Sequence, residues 1–292
     1  MAMPASKSWG AIALILVIGA AIAWAGSQHG RTLDGIPLFA LCGAFAFVLN
    51  WLVFVPANVF QTEHYFDLTG SLTYLGVVAL ALGLGGSADP RALLIGCMVA
   101  VWATRLGSFL FVRVKKDGAD TRFDDIKPDF PRFLMTWTLQ GLWVYLTIAC
   151  GLAAMTSAEA LPLDGFAVVG GLLWALGFMI EVVSDQQKRV FRADPASEGR
   201  FIATGLWAWS RHPNYFGEIL LWVGVAVAAF PALRGWQHMT LVSPVFVYVL
   251  LTRISGVPML ESRGKKRWGD DPQYRAYKAR TPVLVPRPPR AG

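Results

Sequence analysis

The sequence predicts an all-α, multi-pass integral membrane bundle of seven to eight transmembrane helices. Three observations carry that expectation. Of 292 residues, 55% are apolar and 15% are charged, and mean hydropathy is +0.47, whereas a soluble protein carries about 25% charge. Uncharged runs of the ~20 residues that cross a bilayer recur along the chain. The basic residues gather in alternate linkers, as orientation in a membrane requires. Continuous apolar runs in place of alternating ones exclude a transmembrane β-barrel. The 12 Trp, 18 Phe and 7 Tyr suit membrane interfaces.

Eight spans follow in order. Trp9–Gly26 and Ile36–Phe60 carry no charge, Ser71–Ala88 is uncharged but short, and Arg91–Val112 is interrupted by Arg105. Leu134–Ala158 is uncharged, Gly165–Ser184 carries Glu181, Tyr215–Leu233 carries Glu218, and Gly235–Thr252 carries only His238. The first span also has signal-peptide features, with Lys7 before it and small residues at Ala25 and Gly26. Its length and the close second span favour a retained helix. The marginal third span keeps a seven-helix alternative with an outside N-terminus open.

Alternation through eight spans puts Lys7, six basic residues of 113–132, five of 188–214 and ten of 253–292 on one side. The opposite loops hold Arg31, Arg91 and Arg234. This split of 22 to 3 explains the net charge of +7 without nucleic acid and places the C-terminus in the cytoplasm. Cys42, Cys97 and Cys150 lie in apolar runs without CxxC spacing, so neither disulfide nor zinc is expected, only buried thiols. The four histidines show no metal-ligand spacing. G-L-G-G-S-A at 83–88 lies in an apolar span, with no preceding strand, and reads as small-residue helix packing. The Pro-rich end, R-P-P-R, is expected to fray.

Ionisable residues in a span are functional candidates, and three segments concentrate polar groups. In I-E-V-V-S-D-Q-Q-K-R-V-F-R, Glu181, Asp185, Lys188 and Arg192 are spaced 4, 3 and 4 apart, within about 60° of one helical face. They form either a ladder of ion pairs or a polar groove for a charged ligand. In W-S-R-H-P-N-Y-F-G-E, Pro213 starts a helix, with Arg211 and His212 just before it and Asn214, Tyr215 and Glu218 in its first turns. A helix start beside an arginine suits a phosphate or pyrophosphate. The third segment, Q-T-E-H-Y-F-D, holds Gln61, Glu63, His64, Tyr65 and Asp67 and reads equally well as a surface linker. Arg105, inside its span, requires a buried acid or a phosphate.

With S-D-Q-Q-K-R-V-F-R-A-D-P and W-G-D-D-P-Q-Y-R-A-Y-K-A-R-T-P-V-L-V-P beside S-R-H-P-N-Y-F-G-E-I-L-L-W, the chain resembles the membrane steroid 5-alpha-reductase superfamily, in its bacterial branch. The resemblance spans about residues 36–289 and is strongest from 181 onward. It implies a bundle with a cytoplasm-facing NADPH pocket and a steroid or other enone lipid entering from the bilayer, in a bacterial inner membrane. It implies a single membrane domain over 1–292, with an N-terminal helix and loop at 1–35, a catalytic bundle at 36–260 and a C-terminal segment, 261–292, closing the pocket. Asp185, Arg192, Asn214, Glu218, Arg105 and Arg253 fall on cofactor-binding positions of the superfamily, and Lys188, Arg211, His212 and Tyr215 lie among them. Tyr274, Tyr277 and Lys278 match the closing segment.

The superfamily's Gln-Glu pair near the substrate carbonyl corresponds to Gln61 and Glu63, here separated by Thr62. Its catalytic tyrosine aligns near Trp102, placed against substrate; an indole is no acid, and Tyr65 is the substitute donor. The implied reaction is hydride delivery to the alkene carbon beta to a carbonyl, with an acid stabilising the enolate oxygen. No metal and no obligate protein partner is implied; the surrounding lipids are the partners. The R-H-P-x-Y-x-G pattern also resembles S-adenosylmethionine-dependent membrane methyltransferases of isoprenylcysteine or phospholipid. A transporter predicts paired broken-helix repeats, which the sequence lacks. A C-terminal reporter fusion is expected to be active only in its cytoplasmic form; activity of the periplasmic form alone contradicts the 22-to-3 assignment.

Overall fold

A computed structural model describes residues 5–85, 89–117 and 123–289, with side chains described outside 109–117. The chain folds as a multi-pass membrane helix bundle, 77% helical. Among the described residues, eight helices or helical stretches are long and apolar enough to cross a membrane. Lipid offers no partner to backbone N–H and C=O groups, so each span closes its own hydrogen bonds as a helix. The described chain divides into two compact units, residues 1–168 with 226–243, and 169–225 with 244–292.

The first unit holds α1 (Ala5–Gly26), α2 (Leu38–Val59), α3 (Phe66–Leu84), α4 (Pro90–Asp117) and α5 (Phe130–Met155). A short hairpin of β1 (Thr32–Leu33) and β2 (Ile36–Pro37) shortens the second span at its start. Helix α5 is the central post: Asp129 caps it, accepting from the Arg132 N–H at 3.3 Å, and nearly every residue from Gln140 to Met155 is buried. Around its first turns Phe54, Phe123, Phe133 and Trp137 form an aromatic core. Polar side chains join the helices where hydrocarbon supplies no alternative. Asn50 donates to Thr73 at 3.2 Å, Trp51 to Thr138 at 3.0 Å, and Gln140 to the Phe66 carbonyl at 2.7 Å.

The third span, too short from sequence, is completed at its start. Helix α3 begins at Phe66, with Asp67 in its first turn, where the helix dipole favours an acid. Cys42 and Cys150 are buried, but Cys97 is exposed on the outer face of α4, which corrects the expectation of three buried thiols. Three arginines of the short linkers, Arg31, Arg91 and Arg234, are each clamped. Arg31 donates to the Ser157 carbonyl at 2.8 Å. Arg91, 1% exposed, donates to the carbonyls of Ala228 and Pro162 at 2.8 Å and pairs with Asp164 at 2.9 Å. Arg234 pairs with Glu159 at 2.5 Å. Gly86–Ala88 of the small-residue run, the side chains of Arg113, Lys115 and Lys116, and Arg122 and Arg290 lie outside the described residues.

The second unit contains most of α6 (Gly165–Ala193), most of α7 (Pro213–Ala229), most of α8 (Val242–Val249), a π turn over Leu250–Ile254, α9 (Gly256–Trp268) and α10 (Pro272–Arg280). Helices α6 and α7 touch backbone to backbone through glycines. A Cβ on Gly177 would lie 2.5 Å from the Leu221 nitrogen, and one on Gly224 2.6 Å from the Gly170 carbonyl. Gly177→Ala therefore forces the helices apart and is expected to destabilise by about 1–3 kcal/mol. Gly171→Ala, with nothing within 4 Å of the new carbon, is expected to be neutral or stabilising. Thermal unfolding in detergent checks both, and equal melting temperatures contradict the contact.

Candidate functional site

The motif residues of the sixth and seventh helices meet in the second unit, around a cavity of about 670 Å³. Helix α6 runs past the end of its apolar stretch and carries Lys188 and Arg192 to the cavity wall. The connection to α7 then folds back. Asp194 caps a single 3-10 turn, accepting from the Ala196 N–H at 2.9 Å. Gly205, at φ +59°, turns the chain against Gln187, whose Oε1 accepts from the Leu206 N–H at 2.9 Å. Trp207, 3% exposed, donates to the Ser184 carbonyl at 3.0 Å, and the Lys188 ammonium lies 4.6 Å from its ring centroid.

The Ser210–Asn214 segment is fixed by the chain's own end. The Arg211 N–H donates to the Pro282 carbonyl at 2.9 Å, and the Arg287 N–H to the Trp209 carbonyl at 2.9 Å. Ser210 Oγ donates to the Leu284 carbonyl at 2.7 Å and accepts from the His212 N–H at 3.1 Å. The tail expected to fray is thus tied down as far as Arg287.

One carboxylate gathers the cations. Glu261, on α9, accepts from Arg211 Nη1 at 2.8 Å, pairs with Lys278 Nζ on α10 at 2.7 Å, and lies 3.2 Å from His212 Nε2. The His212 ring stacks on Tyr215, 5.7 Å between centroids and 13° between planes. Burial pushes the His212 imidazole below its ordinary pKa, against the opposing pull of Glu261. An aromatic wall of Phe201, Trp268, Tyr274 and Tyr277 completes the cavity. Tyr277 donates to the Trp207 carbonyl at 2.8 Å; burial raises its phenol pKa and that of Tyr274, so both stay protonated.

The cavity lining is electropositive: Lys188, Arg192, Arg200, Arg211, Arg263 and Arg267 face Asp194, Glu198 and Glu261. Three buried polar atoms at this site, Arg211 Nε, His212 Nδ1 and Asn214 Oδ1, have no hydrogen-bond partner among the described residues. Buried polar atoms without partners are uncommon and call for a ligand or water. No group of three metal-ligating side chains occurs among the described residues.

The expected residues distribute as follows. Lys188, Arg192, Arg211, His212, Tyr274 and Tyr277 line the cavity, and Lys278 reaches it through Glu261. Asp185 accepts from Asn214 Nδ2 at 3.2 Å, joining α6 to the start of α7. Tyr215 acts through its stack on His212, and Glu218 is half-buried one turn beyond Asn214. Arg253 is exposed on the π turn and is not part of the lining.

The remaining residues belong to the first unit. Glu63 is buried and paired with Lys127 at 2.5 Å; Gln61, at φ +50°, donates back to the Asn58 carbonyl at 2.7 Å; Tyr65 is exposed. Trp102 is buried edge-on against Tyr74, 5.1 Å between centroids, and Arg105 is half-buried on α4. Sequence reasoning missed Glu261, although it is the one carboxylate between Glu218 and Asp270 and is followed by a basic run.

The model of one protein family, described as a protein of unknown function (DUF1295), matches residues 53–281. The chain belongs to this family. A Schizosaccharomyces pombe protein described as uncharacterized is 25% identical over 240 residues, 71% of this chain and 67% of the yeast protein. Bovine 3-oxo-5-alpha-steroid 4-dehydrogenase 1 is 32% identical over 87 residues, 30% of this chain and 32% of that enzyme. A probable O-methyltransferase, ustE, of Ustilaginoidea virens is 27% identical over 122 residues, 40% of this chain and 41% of that protein. The matches to the two named enzymes thus span less than half of either. No solved structure matches the chain.

Proposed function

We propose that this chain is an NADPH-dependent reductase of enone lipids, acting on the alkene of a 3-oxo-Δ4 steroid or a similar molecule that enters from the bilayer. It works in a bacterial inner membrane with its C-terminus in the cytoplasm, where the basic loops lie. One observation carries the proposal: six cationic side chains line a cavity whose wall also holds two buried polar atoms without hydrogen-bond partners among the described residues, Arg211 Nε and His212 Nδ1. NADPH brings a pyrophosphate and a 2′-phosphate, and arginine forks and a helix start suit both. S-adenosylmethionine has no phosphate and carries a positive sulfonium, which an electropositive cavity repels. Partial similarity to a steroid dehydrogenase supports the same choice, and partial similarity to a methyltransferase supports the alternative.

NADPH, when bound, supplies the hydride. The chain's own residues do the rest. Arg192, Lys188 and Arg211 hold the phosphates, Asn214 and Asp185 fix the start of α7 beside them, and the aromatic wall flanks the bases. Gln61, Glu63 and Tyr65 are the candidates for the carbonyl oxygen of the substrate; Glu63 can donate there only as the neutral acid, with its pairing to Lys127 released.

Titrating purified protein separately with NADPH, NADH and S-adenosylmethionine is expected to give binding of NADPH, weakened about tenfold or more in Arg192→Ala. Glu63→Gln is expected to leave NADPH affinity intact while lowering turnover of testosterone or progesterone by roughly 100- to 1,000-fold. Binding of S-adenosylmethionine without NADPH contradicts the proposal.

A further inference from the structure

We infer that Glu261 is a positioning residue that holds the His212 proton on Nε2, making Nδ1 the acceptor for a ribose hydroxyl of the bound nucleotide. This rests on nucleotide binding in the cavity but not on which nucleotide binds, because NADPH and S-adenosylmethionine both carry ribose hydroxyls.

The chemistry follows from what each group can do. An ionised carboxylate only accepts hydrogen bonds. At 3.2 Å, the contact between His212 Nε2 and Glu261 Oε1 is a hydrogen bond only when Nε2 carries the proton. A neutral imidazole then presents Nδ1 as a bare acceptor. The ring is held by three further contacts: the stack on Tyr215, the backbone bond to Ser210 Oγ, and the grip of Arg211 and Lys278 on the same glutamate. His212 is 4% exposed and lines the cavity, and its Nδ1 has no partner among the described residues. A buried acceptor left unpaired is costly, and a hydroxyl donor on a ligand removes that cost.

The groups that face the imidazole are Glu261 from α9, Lys188 from α6, Arg211 from its own segment, Tyr215 from α7, and Lys278 behind Glu261 from α10. Burial, Lys188 and Arg211 disfavour a second proton, while Glu261 favours it. The imidazole is therefore neutral at pH 7. Nucleotide affinity is flat above the ordinary histidine value of 6.5 and falls at lower pH, as Nδ1 gains a proton and becomes a donor.

The test uses full-length protein in detergent, with ¹⁵N-histidine NMR and binding of NADPH, S-adenosylmethionine and inorganic pyrophosphate. His212→Gln assigns the resonance among the four histidines. The expected spectrum at neutral pH is the Nε2–H tautomer. In Glu261→Gln this preference weakens and the titration moves to lower pH, because the favouring carboxylate is gone. That variant is expected to bind whichever nucleotide the wild type binds about tenfold more weakly. Its pyrophosphate affinity holds or rises, since Arg211 and Lys278 are released. Glu261→Asp restores part of the nucleotide affinity. Loss of both affinities together indicates collapse of the site and overturns the inference, as does an Nδ1–H tautomer in the wild type or unchanged nucleotide affinity in Glu261→Gln. Tight binding of S-adenosylmethionine with none of NADPH overturns the reductase while leaving the role of Glu261 standing; binding of neither overturns both.

Discussion

The contact of Glu261 with Arg211, His212 and Lys278 is the interaction on which the candidate site depends. It joins the segment before α7 to the successive helices α9 and α10, about 50 positions further along the chain. Its contribution to stability is not what matters. The Glu261 side chain is 24% exposed, and partly exposed ion pairs give little net free energy. What the contact supplies is geometry. It faces two cations toward one point and fixes the plane of an imidazole, and the backbone bonds to residues 282–287 hold the same segment from behind.

The membrane imposes the opposite economy elsewhere. In the first unit polar side chains join helices, as with Asn50 Nδ2 to Thr73 and Gln140 Nε2 to the Phe66 carbonyl. Arg31, Arg91 and Arg234 are held as clamps on carbonyls and acids. In the second unit Arg211 Nε and His212 Nδ1 are buried without hydrogen-bond partners among the described residues, in the wall of a cavity lined by six cationic side chains. Unpaired buried groups in a cation-lined wall suit an anionic, hydrogen-bonding ligand.

Most of the bundle was legible in the sequence because hydrocarbon thickness fixes helix length and basic residues mark the linkers. The start of α3 was not, since Asp67 reads as a linker residue until it is recognised as a favourable first-turn acid. The cavity was half legible. The 4, 3, 4 spacing of Glu181, Asp185, Lys188 and Arg192 and the Arg211–Glu218 helix start announced themselves locally. Glu261 did not, because its partners lie 50, 49 and 17 positions away in the chain. The pairing of Glu63 with Lys127 was hidden for the same reason, at a separation of 64. Arg253 sits at the expected helix end, exposed on the π turn and outside the cavity lining.

The central claim is that the electropositive cavity of the second unit is the nucleotide site. Photo-crosslinking with an azido-adenine analogue of NADP, followed by peptide mass spectrometry, tests it most directly. Label is expected on peptides covering 192–207 and 260–278, and excess NADPH should abolish it. Label confined to other parts of the chain, or undiminished by NADPH, contradicts the account.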